Sequence, residues 1–454
     1  MWSYWRLHKY PILFVLGSLL FYVSFAYDLN RTDFVKLITL YAGMSFLCLK
    51  LIQFEKRNFK FLLISGLLFR LVFLWMEPNL SQDFYRFIWD GELIKNGINP
   101  YIHLPKDLIL QNNLPISNAD QLFAGMGELS AKHFSNYPPL NQIIFTIAAF
   151  FGGGSIPGSV IAMRLLIIMA DIGVLLFAGK LLKHLNLSPD FAFWYFLNPL
   201  VIIELTGNLH FEGVMLFFFV WALYLVSKGK WRVAAPVYAL SIMTKLVPIL
   251  FLPLFLRYFG IKKSIGFYFF TGTACLLLLL PFYSSVFVDN YSETVGLWFS
   301  NFEFNAGLYN LVKHIGTTYF DAKPWELIKS YGKVMVLAVI GITLVLAFFR
   351  KNEHFNTLLK SMLWVLACYL FLSSTVHPWY IVFLLVLGIF TKYRFPLVWS
   401  ITVMLSYWAY SNPDYTENLW LLLIEYLAVF GVMIYELTAK EGKKLDFFKK
   451  LGAN

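Results

Sequence analysis

Long apolar runs alternate with short polar breaks along nearly the whole chain, and one break is much longer than the rest. A bilayer core about 30 Å thick needs roughly 17–25 apolar residues per helix. Runs suited to that task lie near 10–27, 34–53 and 60–76. A polar, aromatic-rich segment over 77–136 follows. Apolar runs resume at 137–151, 159–182, 190–206, 211–227, 231–246, 247–259, 264–283, 331–349, 357–374, 377–391, 395–411 and 418–437. The pattern predicts an all-α protein, a polytopic transmembrane helical bundle of about 13–14 spans. Runs 231–246 and 247–259 are short and interrupted by Pro248 and Pro253, which predicts a hairpin of two short helices. No internal repeat, low-complexity tract or terminal soluble domain shows in the pattern. The expectation is one membrane-embedded domain over 1–454, with large loops at 77–158 and 284–330.

Composition agrees with the pattern. Of 454 residues, 59% are hydrophobic and only 14% charged, against about 25% charged in soluble domains. The net charge of +11 would suggest a nucleic-acid partner in a soluble protein. Here the basic residues fall in short loops between apolar runs, where they set topology, so no nucleic-acid partner is expected. The clusters are Arg6/Lys9, Lys50/Lys56/Arg57/Lys60, Lys180/Lys183, Lys228/Lys230/Arg232, Arg257/Lys262/Lys263, Arg350/Lys351, Lys392/Arg394 and Lys440–Lys450. All can be cytoplasmic, with both termini, on one condition. Segment 137–151, opened by Tyr137-Pro138-Pro139, must be a re-entrant or surface-lying helix that does not cross. Segments 77–136 and 284–330 then lie outside, with the 207–213 turn, Lys245 and the Ser373–Tyr380 stretch. Cys48, Cys275 and Cys368 all sit in apolar runs and read as buried packing residues. The N-terminal run lacks a small-residue cleavage site and reads as a retained span. The Lys-rich C-terminal tail reads as a solvated end touching anionic lipid.

Polar residues able to do chemistry therefore gather on one face. Asp83 follows directly on an apolar span. It either caps a helix beginning near Phe84 or acts as a general base toward a hydroxyl, its pKa raised beside an apolar surface. Asp90 lies two helical turns on, on the same face, as a site-orienting group or a solvated acid. Arg86 either pairs with Asp83 or holds a phosphate. Gly97-Ile98-Asn99-Pro100-Tyr101 reads as the turn that closes this helix. Arg164 and Asp171 share one face of a span about 10 Å apart along its axis, in a structural role or, for Arg164, on a lipid phosphate. His210 and Glu212 sit at an outer turn, suited to substrate hydroxyls or phosphate. Lys245, away from every cytoplasmic cluster, suits an anion, as does His377. Trp379 and Tyr380 are interfacial belt residues or stacking platforms for a sugar. No Walker A loop, dinucleotide glycine motif or zinc spacing occurs. No Asp-x-Asp occurs in 77–136, so a divalent metal has no motif and no cofactor is expected.

Several of these pieces, in order, resemble the GT-C superfamily of integral-membrane glycosyltransferases. They are Asp83 with Tyr85, Gly97…Pro100-Tyr101, Tyr137-Pro138-Pro139-Leu140, Arg164…Asp171, Asn198-Pro199-Leu200…Gly207-Asn208…Glu212, Lys245…Pro248, Asn305 and His377-Pro378-Trp379-Tyr380. The pattern is most similar to bacterial polyprenol-phosphate-mannose-dependent mannosyltransferases, and more distantly to the subunit adding the first mannose to GPI anchors. Those GPI relatives carry a paired Asp-x-Asp where this chain has Ser81-Gln82-Asp83. The resemblance implies a catalytic Asp83 in an external first loop and a polyprenyl-phosphate sugar donor. It further implies mannosyl transfer, with inversion, to a lipid-linked or glycan acceptor at a bacterial inner membrane. Tyr101, Tyr137, His210 and Asn305 would then contact substrate, and Lys245, His377, Arg164 or Arg86 the leaving phosphate. The alternative is a multi-span lipid or solute transporter whose broken hairpin 231–259 forms a binding site.

Overall fold

A computed structural model describes residues 2–111 and 113–439, with side chains from residue 8 onward except at 298–300. The Lys440–Lys450 group lies outside these residues. The described chain is helical throughout; its one strand-like pairing is a parallel bridge between Phe304 and Thr375. Seven helices are long and apolar enough to cross a membrane. They are His8–Tyr27, Phe34–Glu55, Ile156–His184, Ile261–Phe282, Pro324–Phe349, Phe355–Leu372 and Leu419–Thr438, and a bent pair can make an eighth. This is an integral membrane protein. The helical bundle is as expected, but fewer apolar runs form unbroken spans than the pattern suggested. Proline and asparagine explain the clearest case: 190–206, entered at Pro189, breaks into short pieces at Asn198-Pro199, because proline removes a helical donor and restricts the residue before it.

The chain divides into two compact units, each assembled from separate stretches. The first comprises 1–76, 182–207 and 377–454. In it, the hairpin of Trp2–Tyr27 and Phe34–Glu55 packs on Phe59–Leu71. Arg70 is fully buried there, lying on the Phe196 ring and donating to the Gly66 and Phe196 carbonyls at 3.1 and 2.8 Å. Ile202–Gly207 forms a π-helical turn. Its Glu204 is fully buried and accepts a 2.7 Å hydrogen bond from the Tyr407 hydroxyl. His377 also belongs to this unit, its ring stacked on Trp379 at 4.4 Å.

The second unit comprises 77–181 and 208–376. Asp83–Lys95 packs against Pro139–Phe151 and Ala119–Ala131. A Cβ at Gly91 would run into the Phe145 carbonyl, so glycine lets these two helices touch. Pro139–Phe151 has 13 residues, about 20 Å of helix, too short to cross a bilayer core, as the topology required. Trp231–Thr244 followed by Val247–Phe259 is the expected broken hairpin. The 284–330 stretch is mainly two helices, Ser285–Ser300 and Gly307–Tyr319.

Candidate functional site

The Asp83–Lys95 helix is held by a buried polar knot. Asp90 is fully buried and takes hydrogen bonds from Arg86 Nε at 2.7 Å, Ser135 Oγ at 2.5 Å and Gln142 Nε2 at 3.1 Å. Arg86 also donates from Nη1 to the Ser130 and His133 carbonyls at 2.7 and 3.0 Å. Asp90 is no solvated acid, and Arg86 pairs four residues forward with Asp90. A charge moved from water into protein keeps its ionised form only when paired and hydrogen-bonded. Arg86 and Asp90 meet that condition together, which fixes the helix against 130–142.

Asp83 opens this helix. It occupies the first helical position, one residue after Gln82 and close to the expected start near Phe84. A carboxylate in the first turn is favoured by the helix dipole. Asp83 is half-buried, its backbone N–H donating to Ser81 Oγ at 3.3 Å. The lead-in is pinned by the Leu80 N–H, which donates to Asn208 Oδ1 at 3.3 Å. Tyr85, two residues on, donates to Glu77 at 2.5 Å; burial and that carboxylate push its hydroxyl up to about 12.

One turn after Asp83, Phe87 begins an aromatic floor. It stacks on Phe145 at 4.6 Å and meets the rings of Tyr137 and Phe211 edge-on at 4.9 and 5.6 Å. The Lys245 ammonium lies 5.7 Å from the Tyr137 ring centre and 3.0 Å from Glu212 Oε1. Asn141 Nδ2 donates to the Thr244 carbonyl at 2.8 Å, tying Pro139–Phe151 to the residue before Lys245. Tyr137 is supported in turn by Tyr101, whose hydroxyl donates to the Tyr137 carbonyl at 2.5 Å. The Tyr101 ring is fully buried among Phe282, Phe287 and Tyr291. Burial, with Tyr291 and Asp90 nearby, holds that hydroxyl far above its usual value, so it stays a neutral donor. Tyr101 thus reaches the site through Tyr137.

The structure joins Tyr101, Tyr137, Glu212 and Lys245 in one chain of contacts, and Phe87 carries the Asp83 helix onto it. His210 is buried in the turn just before Glu212. Arg164 and Asp171 are fully buried in Ile156–His184. Asn305 is buried in the 302–305 strip of the second unit, in the left-handed conformation at φ 52°. His377 falls in the first unit. Ser135, Asn141 and Gln142 escaped the sequence reading because uncharged polar residues beside Tyr137-Pro138-Pro139 carry no spacing signal. Glu204 did leave one: an acid inside an apolar run. Among the described residues, no group of three or more His, Cys, Asp or Glu is arranged to hold a metal ion.

Residues 19–259 match the family model described as "Alpha-(1->6)-mannopyranosyltransferase, N-terminal domain", the MptA_B family. The chain belongs to this family. The matched stretch holds Asp83, Arg86, Asp90, Tyr101, Tyr137, Arg164, His210, Glu212 and Lys245, and ends before Asn305 and His377. Among MptA_B relatives, alpha-(1->6)-mannopyranosyltransferase A of Mycobacterium tuberculosis is 21% identical over 330 residues, covering 68% of this chain and 62% of that protein. Alpha-(1->6)-mannopyranosyltransferase B of Corynebacterium glutamicum is 26% identical over 157 residues, 34% of this chain and 25% of that protein. The A protein of the same organism is 22% identical over 195 residues, 42% of this chain and 37% of that protein. The chain thus matches at most about 62% of the length of these relatives.

Proposed function

We propose that this chain is an inverting mannosyltransferase. It moves a mannosyl group from a polyprenyl-phosphate donor to an acceptor hydroxyl, forming an α-1,6 linkage, on the external face of the membrane. The observation that carries the reading is the family match across 19–259, which contains Asp83 together with the Tyr137–Lys245–Glu212 cluster.

Asp83 takes the proton of the acceptor hydroxyl as its oxygen attacks the anomeric carbon. The bond from that carbon to the phosphate oxygen breaks, and polyprenyl phosphate leaves with the electron pair. Sugars react at this carbon through an oxocarbenium-like transition state, while negative charge grows on the departing phosphate. Lys245 is the cation we assign to that charge. Glu212 holds its ammonium over the Tyr137 ring until the phosphate offers a better partner. Arg86 is a positioning residue, because its guanidinium is engaged by Asp90 and two carbonyls. Tyr137 and His210 supply the sugar contacts, with Arg164 and Asn305 completing the proposed contact set. The transporter alternative has one bent helix pair in its favour, Pro199–Gly207 with Glu212–Ser227, and no matching second pair among the described residues.

The test uses purified full-length protein, polyprenyl-phosphate-[14C]mannose and an α-1,6-linked dimannoside, with and without EDTA. Wild type should move label to the acceptor in both lanes. Asp83→Asn should lose about 10²- to 10⁴-fold, the usual worth of a general base, with an unchanged gel-filtration profile. Undiminished turnover by Asp83→Asn would remove Asp83 as the base. No label transfer from any polyprenyl-phosphate hexose would remove the donor class.

A further inference from the structure

A concave feature of the second unit lies apart from the residues of the Asp83 cluster. It is a cavity of about 390 Å³ bordered by Asn301, Glu303, Tyr309, Trp325, Ile328 and Lys329, within the size range of small-ligand sites. Its walls are fixed. The 302–304 strip is pinned to 374–376 by the Phe304 N–H to the Ser374 carbonyl at 3.0 Å and the Val376 N–H to the Phe304 carbonyl at 2.7 Å. The hydroxyls of Ser374 and Thr375 both donate to the Phe302 carbonyl, at 3.0 and 2.7 Å. Asn305, left-handed, then turns the strip into Gly307–Tyr319. Ala306, Tyr309 and Ile328 form a buried floor.

The chemistry offered is a flat ring, a carboxylate and an amide on a rigid frame. Trp325 is 58% exposed at the start of Pro324–Phe349. Glu303 presents its carboxylate from the opposite strip, held at 2.5 Å by Lys313. Burial and the facing Glu303 push the Tyr309 hydroxyl up to about 12, which keeps it a neutral donor. An aromatic face suits the C–H face of a sugar ring, and a carboxylate and an amide suit its hydroxyls. Lys329 borders the same cavity, and the Lys323 and Lys329 ammoniums lie 5.9 and 5.5 Å from the Trp325 ring centre.

We propose that this groove is a binding subsite for an uncharged hexose unit of the acceptor chain, resting on the glycosyl-transfer reading above. Trp325 stacks on the ring, and Glu303 with Asn301 accepts from and donates to its hydroxyls. None of Asp83, Tyr137, Glu212 or Lys245 lines the groove, so it grips a part of the acceptor that is not reacting. A long acceptor then gains affinity that a single sugar lacks, which lowers KM without changing kcat.

The experiment measures binding of α-1,6-linked mannotetraose, and of methyl mannoside, to full-length protein in detergent by saturation-transfer NMR. Trp325→Ala, Trp325→Phe and Glu303→Gln are compared with wild type. Wild type should bind the tetraose. Trp325→Ala and Glu303→Gln should weaken it about tenfold or more, and Trp325→Phe should retain it within about threefold. Transfer kinetics should show raised KM for the tetraose at constant kcat, with methyl mannoside unaffected. Equal tetraose affinity in wild type, Trp325→Ala and Glu303→Gln would overturn the subsite and leave Trp325 as a membrane-interface anchor between Lys323 and Lys329. Absence of tetraose binding by wild type would overturn it too. Binding that follows these variants without any mannosyl transfer would instead overturn the transfer reading and leave a hexose-binding groove standing.

Discussion

Lys245 and Glu212 are 3.0 Å apart, yet the sequence gives no sign that they meet, because 33 positions of chain separate them. What could be read was that Lys245 is a cation away from every other basic cluster, and hence in need of an anion. The structure supplies a carboxylate as that anion, and the proposed mechanism exchanges it for a phosphate. Lys245→Met should then lower kcat by about 10²- to 10³-fold, the range for loss of one transition-state donor, with a fall in melting temperature as well, because Glu212 is buried and loses its counter-charge. Glu212→Gln leaves the ammonium in place and should cost far less, which single-turnover assays of the two variants would separate. Equal losses would argue that the ion pair acts only as a brace. The Arg86–Asp90 pair predicts a different profile. Asp90→Asn leaves a buried guanidinium without its counter-charge, which typically costs about 3–5 kcal/mol. A large fall in melting temperature should therefore precede any specific kinetic defect, and Arg86→Met with Asp90→Leu together should recover part of it. Both residues were visible as charges three and seven positions after Asp83. Local spacing allowed Arg86 to reach either acid, and only the packing of Ser135 and Gln142 around Asp90 decided between them.

Among the elements, Pro139–Phe151 was the most legible and does the most positioning. Two prolines ahead of a short apolar run announced a helix that starts abruptly and cannot cross. The structure adds what the sequence could not: Phe145 in the floor under Tyr137, and Asn141 bound to the carbonyl before Lys245. Asn141→Ala removes one buried hydrogen bond, worth about 0.5–1.5 kcal/mol, and frees the end of Trp231–Thr244. A modest drop in melting temperature should come with a disproportionate drop in kcat, because the lost contact orients Lys245. Proportionate losses would mean that the tie is merely structural. The hairpin 231–259 was equally readable from Pro248 and Pro253. The run 190–206 was not, since hydropathy registers its apolar content and is blind to the break at Asn198-Pro199 and to the π-helical turn carrying Glu204.

For the molecule as a whole, hydropathy gave the class and charge an expected topology, while chemistry depended on contacts between distant segments. The topology is the part still open to a direct measurement. It rests on one premise, that Lys and Arg in short loops remain cytoplasmic, and on the short helix 139–151 staying on one side. If both hold, the Asp83 helix and the stretch after it face outward, while the turn at Lys228–Lys230 faces in. Gln121 and Lys228 are exposed positions of the same unit on opposite sides of that scheme. The native thiols are partly or fully buried, so a background with Cys48, Cys275 and Cys368 replaced is a reasonable host. Gln121→Cys should react with an impermeant maleimide in intact cells, and Lys228→Cys only after the membrane is opened. The reverse pattern would turn the whole arrangement over. Asp83 would then face the cytoplasm, where nucleotide sugars are the natural donors, and the polyprenyl-phosphate assignment would lose its physical basis. Agreement would set the proposed base on the side where a lipid-linked sugar is needed, because no nucleotide sugar is supplied there.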